Sequence, residues 1–339
     1  MSVFSCARAF SVLGLMTAMA CAGCASADDR GDGSNASEDA VTQAKHNYPI
    51  VLVHGMGGFD KLQNLPINVV YFNGVKDDLA THGETQVFAT IAPPYDTSEV
   101  RATYVATQID QILAQTGAKK VNIIAHSQGG LDARILASPQ GLGYGDRIAS
   151  ITTIATPHRG TKVADLVLRI LDDAPGDVVE NVTDAILSVL QESVYQLQTD
   201  PNLRAQINEL STKYMTGVFN PKYKDDSRVK YASYAGRTNL EVGWISCADG
   251  TYDNDVFRVD AVPALLFPTA VYLQGLTDTT NDGLVTVSSA HWGEFMQCVP
   301  ADHLGEVGQL LKSGSDPLSG FDHLAFFRTI VSRLRNAGY

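Results

Sequence analysis

The segment VNIIAHSQGG, residues 121–130, constrains the fold of this 339-residue chain more than any other stretch. It opens with a short, continuous apolar run rich in β-branched residues, which is typical of a strand buried on both faces of a sheet. The pair Gly129 and Gly130 then leads into LDARILAS, which has the apolar spacing of a helix. The segment therefore predicts a strand, a tight turn that carries Ser127, and a helix in direct succession.

Apolar runs alternate with amphipathic stretches on both sides of this segment, which is the pattern of parallel strands with covering helices. Asp96 and Glu99 resemble a capping pair at the start of one helix, which continues to Gly117. We therefore predict the α/β class, with a mostly parallel central sheet flanked by helices. The strand candidates are YPIVLVH, QVFATIA (86–92), VNIIA, SITTIAT and VKYASYAG, and the last helix carries Phe321, Leu324, Phe327, Ile330, Val331 and Leu334 on its apolar face.

The N-terminus predicts export. Residues 1–27 contain the apolar stretch AFSVLGLMTAMA, which is too short for a stable membrane span and typical of a signal. Two processing routes remain open: cleavage after the A-S-A sequence at 25–27, which predicts a secreted protein, or lipidation of Cys24, which predicts an outer-membrane lipoprotein. Residues 28–45 are polar and aperiodic, so we expect a disordered linker, or a membrane tether if Cys24 is lipidated. Residues 46–339 then form one domain.

Residues 161–215 have helical patterns but leave the strand-helix rhythm, so we expect a helical cap inserted over the sheet. Within this cap an apolar stripe lies opposite acidic and amide side chains. The stripe favours two structures equally: a mobile lid over a binding site, or an ordinary surface helix packed on the core. Its residues are Val178, Val179, Val182, Ala185, Ile186, Val189 and Leu190.

The charge balance excludes one class of partner. The chain carries 25 basic and 37 acidic side chains, a formal net charge of -12, and no run of Lys or Arg that could follow a phosphate backbone. We therefore expect no nucleic-acid partner.

Two of the five cysteines, Cys247 and Cys298, lie in the body of the chain, and the other three lie in the signal region. An even pair in an exported protein indicates a disulfide bond. Two buried free thiols are the alternative, although export makes lone thiols a liability.

Ser127 stands where a strand-to-helix turn would expose a nucleophilic hydroxyl. Small residues flank the serine of such turns two positions away on each side, because the strand and helix backbones approach closely; here they are Ala125 and Gly129. Alanine replaces the usual first glycine, and one methyl group can be accommodated there. Because a serine hydroxyl is a weak nucleophile, this interpretation requires an imidazole base and an acid elsewhere in the chain.

The base and the acid are expected downstream of Ser127, in the order Ser, Asp, His that accompanies this turn. His303, in PADHL ahead of the last helix, is our choice for the base, and His291 is the alternative. Asp282, in the turn of TTNDGLV, is our choice for the acid, with Asp278 as the close competitor. More distant candidates are Asp249, Asp253, Asp255 and Asp260.

The sequence HGMGG, directly after the strand candidate YPIVLVH, predicts a site for negative charge. Acyl transfer to a serine builds up charge on a carbonyl oxygen, and fixed backbone N–H groups stabilise that oxyanion. We expect the N–H groups of Met56 and Gln128 to do so, one from this loop and one from the residue after the nucleophile.

Taken together, YPIVLVHGMGG, VNIIAHSQGG, ITTIATPHRG, NDGLV and DHLGEVGQLL resemble, in this order, the bacterial true lipases of the Pseudomonas lipase family, within the α/β-hydrolase superfamily. The likeness runs from about Tyr48 to the C-terminus. It implies an α/β-hydrolase fold, triacylglycerol hydrolysis at an oil-water interface by the domain 46–339, a lid that opens there and, for some members, a folding chaperone. It also implies the same site, with Ser127 as nucleophile, Asp282 as acid, His303 as base, and Met56 and Gln128 as oxyanion donors.

The chain departs from that family at a calcium site. Family members hold a calcium ion through two aspartates, and the second of these, two residues after the catalytic histidine, is Gly305 here. Asp260 and Gln309 match other ligand positions, but a calcium ion prefers several anionic oxygens. We therefore expect no metal and no required cofactor.

The family disulfide also differs. It uses a cysteine at the position of Ser288 in this chain. A disulfide between Cys247 and Cys298 would lie at a different position from the family's. It would hold the chain near His303, as calcium does in the family.

Three functions compete. The leading hypothesis is a secreted hydrolase that cleaves carboxylic esters of lipids through an acyl-enzyme on Ser127. A polyester depolymerase or an acyltransferase could use the same residues, since the cap selects the acceptor. A non-catalytic binding protein anchored through Cys24 is the third hypothesis, and the presence of all three residue types in order argues against it.

Overall fold

The described part of the chain covers most of the predicted domain. The computed structural model describes residues 47–58, 71–172, 201–238, 262–276, 280–309 and 319–339. The predicted export signal (1–27), the linker (28–45) and the apolar stripe of the cap lie outside the described residues. The same holds for Cys247, for Asp278 and for the four more distant acid candidates.

Six strands form one sheet in the order β2-β1-β3-β4-β5-β6. Every neighbouring pair is parallel, so each connection crosses over the sheet, as the alternation of strands and helices predicts. The predicted α/β class is confirmed. The strands are β1 (Ile50–Val53), β2 (Val87–Ala89), β3 (Val121–His126), β4 (Ile148–Ile154), β5 (Lys230–Gly236) and β6 (Glu294–Val299).

Helices cover both faces of this sheet. In chain order they are α1 (Val75–Thr81), α2 (Ser98–Thr116), α3 (Gly129–Ala137), α4 (Lys162–Asp172), α5 (Pro201–Glu209), α6 (Thr212–Tyr214), α7 (Asn220–Lys222), α8 (Phe267–Leu276), α9 (Val287–Ala290) and α10 (His323–Asn336). A π-helical turn (Met215–Phe219) joins α6 to α7, and 3-10 turns lie at Tyr144–Asp146 and Gly305–Val307.

The strands are apolar because both faces of the sheet are covered. Along β1 the side chains alternate: Ile50 and Leu52 pack with α1 and α10, whereas Val51 and Val53 pack with α2 and α3. The central strand β3 is buried along its whole length. This two-sided burial is what the continuous apolar run at 121–125 predicts.

One local prediction is wrong, and one strand is not indicated by the sequence. Helix α2 is capped by Thr97, whose side chain accepts from the N–H of Val100, while the side chain of Asp96 accepts from the N–H of Thr97. The pairing of Asp96 with Glu99 was therefore wrong, because the neighbouring hydroxyl takes the capping position. Strand β6 was not predicted, because it is half exposed and carries polar residues between its apolar ones.

Helix α10 buries the predicted face and one aromatic ring more. Asp322 caps its start through two backbone N–H groups. Nε2 of His323 then donates to the carbonyl oxygen of Asn73 (2.8 Å), which ties the helix to the segment before α1. The buried apolar residues are Phe321, Phe326, Phe327, Ile330, Val331 and Leu334, with Leu324 partly buried beside them.

The described residues between β4 and β5 form helical elements and the loops that join them. Helices α4, α5 and α8 pack together in an apolar cluster, with Met56 and Leu284 partly buried at its edge. This helical layer therefore lies beside the predicted oxyanion loop. The lid stays a prediction, because the apolar stripe lies outside the described residues. None of the described helices is long and apolar enough to cross a membrane.

Candidate active site

Ser127 lies at a strained turn between β3 and α3. Its φ is 56°, in the left-handed region that few side chains adopt, and its N–H donates to the carbonyl oxygen of Ile154 (2.9 Å). The turn is tight, since a Cβ at Gly129 would lie 2.5 Å from the carbonyl oxygen of Val53. The methyl group of Ala125 is accommodated within the buried strand. The backbone therefore sets the direction of the Ser127 hydroxyl.

His303 and Asp282 extend a chain of hydrogen bonds that begins at Ser127. Nε2 of His303 lies 3.0 Å from Oγ of Ser127, and Nδ1 of His303 lies 2.8 Å from Oδ2 of Asp282. His303 and Asp282 are buried, whereas Ser127 is partly exposed. Because a carboxylate only accepts, the hydrogen of the neutral imidazole sits on Nδ1 and the Nε2 lone pair faces the serine. This geometry places a base where it can take the hydroxyl proton.

Asp282 is held by the turn that the sequence predicts around it. Its Oδ1 accepts from the N–H groups of Leu284 (2.8 Å) and Val285 (2.7 Å), which leaves Oδ2 for His303. The backbone carbonyl of Asp282 also accepts from the N–H of His303 (2.9 Å), so the two loops are joined twice. The alternative base, His291, stacks its ring on a phenylalanine of β6 instead.

The N–H groups of Met56 and Gln128 have no acceptor among the described residues. The carbonyl of Gly55 belongs to the same peptide unit as the Met56 N–H. The carbonyl oxygen of Gly55 accepts from the N–H of Gly58 (3.2 Å), from Nδ1 of His54 (2.8 Å) and from Arg101 (3.3 Å). In a trans peptide the C=O and N–H bonds point in opposite directions, so these donors aim the Met56 N–H away from them.

A buried ion pair supports this loop from inside the protein. Nε of Arg101 donates to Oδ2 of Asp132 (2.9 Å), and neither side chain is exposed. The guanidinium also donates to the carbonyl oxygens of His54 (2.6 Å) and Pro93 (2.5 Å). Burial raises the pKa of Asp132 to about 6, and the positive charge of Arg101 opposes that rise.

The sequence alone does not indicate the pair of Arg101 and Asp132. An arginine on a helix is usually solvated, so neither residue type indicated a buried site. The available signal was the position of Arg101, four residues before Val105 and eight before Ile109, on the apolar face of α2. Asp132 carried no comparable signal.

His126 lies against the ring of His303, with the two centroids 4.6 Å apart. The hydroxyl of Tyr71 donates to Nδ1 of His126 (2.7 Å), and Nε2 of His126 donates to Glu306 (3.1 Å). Burial, reinforced by the charge that His303 can carry, holds the pKa of His126 well below its usual range. A neutral imidazole therefore lies beside the ring of His303. Tyr71 and Glu306 were missed because nothing local marks them.

The described residues near His303 do not fit a resident metal ion. Donor atoms of His126, His303 and Glu306 lie within 4.8 Å of one another, but both ring nitrogens of His303 already serve the chain from serine to aspartate. Gly305 offers no side-chain oxygen, and a Cβ there would lie 2.9 Å from Oδ2 of Asp302. A calcium ion would lack one carboxylate in this loop.

A strained serine turn after the central strand of a parallel sheet, with helices on both faces, is typical of the α/β-hydrolase class. The comparison with known families agrees, since the model described as "alpha/beta hydrolase fold" matches residues 48–237. EstA from Clostridium botulinum, a solved structure, has the same fold: the TM-score is 0.59 at 18% identity, over 86% of this chain and 88% of that one.

Curated relatives narrow the class. A triacylglycerol lipase from Burkholderia plantarii is 31% identical over 336 residues, which is 90% of this chain and 90% of the relative. A triacylglycerol lipase from Vibrio cholerae is 32% identical over 320 residues, or 89% and 91% of the two chains. The chain therefore belongs to the α/β-hydrolase family, as a carboxylic ester hydrolase related to the bacterial triacylglycerol lipases.

Proposed function

We propose that the protein hydrolyses carboxylic esters of lipids through an acyl-enzyme on Ser127. The observation that carries this proposal is the chain from Oγ of Ser127 to His303 (3.0 Å) and on to Asp282 (2.8 Å). In the first step Nε2 of His303 takes the serine proton while Oγ bonds to the ester carbonyl carbon. Asp282 holds the Nδ1 hydrogen and stabilises the imidazolium that forms.

The tetrahedral intermediate places its oxyanion against the N–H groups of Met56 and Gln128. Loss of one such donor costs roughly 3 kcal/mol in other serine hydrolases. The imidazolium of His303 then protonates the leaving alcohol as its C–O bond breaks, which leaves Ser127 acylated. Water attacks the acyl carbonyl carbon while His303 takes a proton from that water. The second tetrahedral intermediate then collapses: its bond to Oγ of Ser127 breaks, the imidazolium of His303 returns the proton to Oγ, and the carboxylic acid leaves.

The apolar cluster beside Met56 supports a lipid substrate. It joins α4, α5 and α8 through buried aliphatic side chains, and Met56 and Leu284 form its partly exposed edge next to the site. Binding sites for apolar ligands are lined in this way. The names of the curated relatives, which are triacylglycerol lipases, point to the same substrate class.

The test compares the purified protein with Ser127→Ala. Both are assayed on short-chain p-nitrophenyl esters and on an emulsified long-chain triglyceride, each with and without EDTA. We expect hydrolysis of both substrates by the wild type only, and no effect of EDTA. Activity on soluble esters alone would reduce the proposal to an esterase, and sensitivity to EDTA would establish the calcium site that Gly305 argues against.

The two rival functions give other results in the same assay. A polyester depolymerase or an acyltransferase would prefer a polyester film, or would transfer the acyl group to an added alcohol, and Ser127→Ala would abolish either activity. A non-catalytic binding protein would be as inactive as Ser127→Ala on every ester. No contact among the described residues favours either rival over the lipid ester.

We also propose secretion, with an outer-membrane lipoprotein anchored through Cys24 as the alternative. Cell fractionation of wild type and Cys24→Ser separates the two, because only a lipidated protein leaves the membrane fraction when the cysteine is lost. A bond between Cys247 and buried Cys298 and dependence on a folding chaperone are further proposals. Thiol labelling of the denatured protein tests the first, and refolding of the isolated chain tests the second.

A further inference from the structure

Gln206 lies on α5, and its buried side chain contacts the segments that carry the proposed oxyanion donors. Its Nε2 lies 2.7 Å from Oε1 of Gln128 and 3.2 Å from the carbonyl oxygen of Pro94. A proline carbonyl can only accept, so the atom at this fork must be the amide nitrogen, with one hydrogen for each acceptor. Gln206 therefore donates both amide hydrogens to the segments that form the proposed oxyanion site.

The orientation of Gln128 agrees with this assignment. Its own Nε2 donates to the carbonyl oxygen of Asp96 (3.1 Å) and lies 3.2 Å from Oγ of Ser98. Because that carbonyl also only accepts, Oε1 of Gln128 must face Gln206. Main-chain carbonyls thus settle both amide orientations, and the bond between the two glutamines has a single direction.

The carbonyl of Pro94 carries the second contact to the other half of the oxyanion site. It also accepts from the N–H of Gly57 (2.9 Å), the residue after Met56. One amide hydrogen of Gln206 therefore binds the side chain of Gln128. The other binds the carbonyl oxygen of Pro94, which also holds the loop of Met56 through the N–H of Gly57. Leu203 and Ile207 of the same helix pack in the cluster that includes Met56.

We infer that Gln206 is a positioning residue that sets the separation between the N–H groups of Met56 and Gln128, and so couples the placement of α5 to turnover. The inference rests on the proposed function, because it concerns the oxyanion of that reaction. Such donors stabilise the transition state only where they fit the oxyanion, and a misplacement of about 1 Å can cost about 100-fold in rate. The coupling acts on kcat rather than on substrate binding.

Two variants of Gln206 test this coupling. Gln206→Met keeps the length of the side chain but has no hydrogen to donate, whereas Gln206→Glu keeps the shape and donates only when protonated. Arg204→Gln is the matched control, because Arg204 lies on the same helix and its ion pair with Asp172 is exposed. Each protein is assayed for kcat and KM on a soluble p-nitrophenyl ester and for inhibition by phenylboronic acid, which forms a tetrahedral adduct on serine.

We expect Gln206→Met to lose on the order of 10-fold in kcat and similarly in affinity for the boronic acid, with KM nearly unchanged. Arg204→Gln should match the wild type in both. For Gln206→Glu, the ratio of its kcat to that of the wild type should rise as the pH falls, because a carboxyl group facing two acceptors donates only in its protonated form.

An unchanged kcat and inhibitor affinity in Gln206→Met would overturn the inference, as would a loss confined to KM or one shared by Arg204→Gln. If Gln206→Met fails to fold, the pH ratio of Gln206→Glu decides, and a flat ratio overturns the inference. Failure of the proposed function is a different result, in which the wild type is no more active than Ser127→Ala.

Discussion

Ser127 is held by backbone geometry, whereas His303 is held by hydrogen bonds between loops. On the Ser127 side, β3 lies between two parallel strands, and a left-handed turn brings α3 close to the backbone at Val53. On the His303 side, both residues of the pair lie in loops, and two hydrogen bonds between His303 and Asp282 join these loops. The turn at Ser127 depends on backbone packing that no single side chain provides. The position of His303 depends on polar contacts that substitutions can remove one at a time.

This difference indicates where substitutions should act cleanly. Changes at the turn of Ser127 would disturb strand, helix and site together, because their backbones touch. Changes at His303 and Asp282 should remove chemistry while the sheet remains intact. Arg101 joins the two kinds of construction, since it is a buried side chain that holds backbone carbonyls.

The largest effect is expected for His303→Ala. Loss of the base should lower kcat by about 10⁵-fold to 10⁶-fold, with the folded state retained because the histidine lies in a loop. Steady-state kinetics on a soluble ester and a thermal unfolding curve measure the two. His291→Ala is the matched control and should keep most of the activity; if it were the more damaging change, the base would be misassigned.

Asp282→Asn should cost less, about 10⁴-fold in kcat. An asparagine can still hydrogen-bond to His303, but it can present its NH₂ group and so hold the imidazole in the wrong tautomer. The substrate KM should change little, because no binding contact is lost. Activity within 10-fold of the wild type would show that another group orients His303.

Arg101→Met should affect stability and catalysis together. It leaves Asp132 buried without its cation, which costs about 3–5 kcal/mol, and it removes a donor from the carbonyls of His54 and Gly55. Denaturant unfolding and kcat are measured for this variant and for Arg101→Met/Asp132→Leu. The double variant should regain stability but not kcat, whereas recovery of both would mean that the pair has no part in aiming the Met56 N–H.

Glu209 gives the smallest and most pH-dependent effect. Burial, together with nearby carboxylates, raises its pKa to about 7, and the N–H of Ser98, at the start of α2, opposes that rise. A raised carboxyl pKa favours the folded state fully below the unfolded value near 4.5, and this contribution is lost as the pH rises through 7.

Glu209→Gln should remove that dependence. Relative to the variant, the wild type should lose up to about 3 kcal/mol of unfolding free energy between pH 4.5 and pH 8, at roughly 1.4 kcal/mol for each pKa unit. Urea unfolding of both proteins across this range measures the difference. Parallel curves would contradict a raised pKa.

The sequence predicts structure that depends on neighbouring residues, and it does not predict contacts between residues far apart in the chain. Strand β3 and the turn at Ser127 follow from ten consecutive residues, so a local pattern is sufficient. Asp282 and His303 could be proposed from turn chemistry and chain order, and the structure brings both to Ser127.

Residues whose contacts lie far away in the chain could not be found in this way. Gln206 contacts Gln128 across 78 positions, and Glu306 contacts His126 across 180. A glutamine or glutamate on a helix or turn is usually solvated, so nothing local distinguishes these two. Strand β6 was missed for a related reason, because its half-exposed pattern resembles a loop.

Covalent labelling of Ser127 tests whether this serine is the nucleophile. The protein is treated with an alkyl fluorophosphonate, its peptides are mapped by mass spectrometry, and the remaining esterase activity is followed in parallel. We expect one adduct, on Ser127, whose formation parallels the loss of activity and is greatly slowed in His303→Ala. An adduct on another serine with the same loss of activity, or full activity in Ser127→Ala, would contradict it.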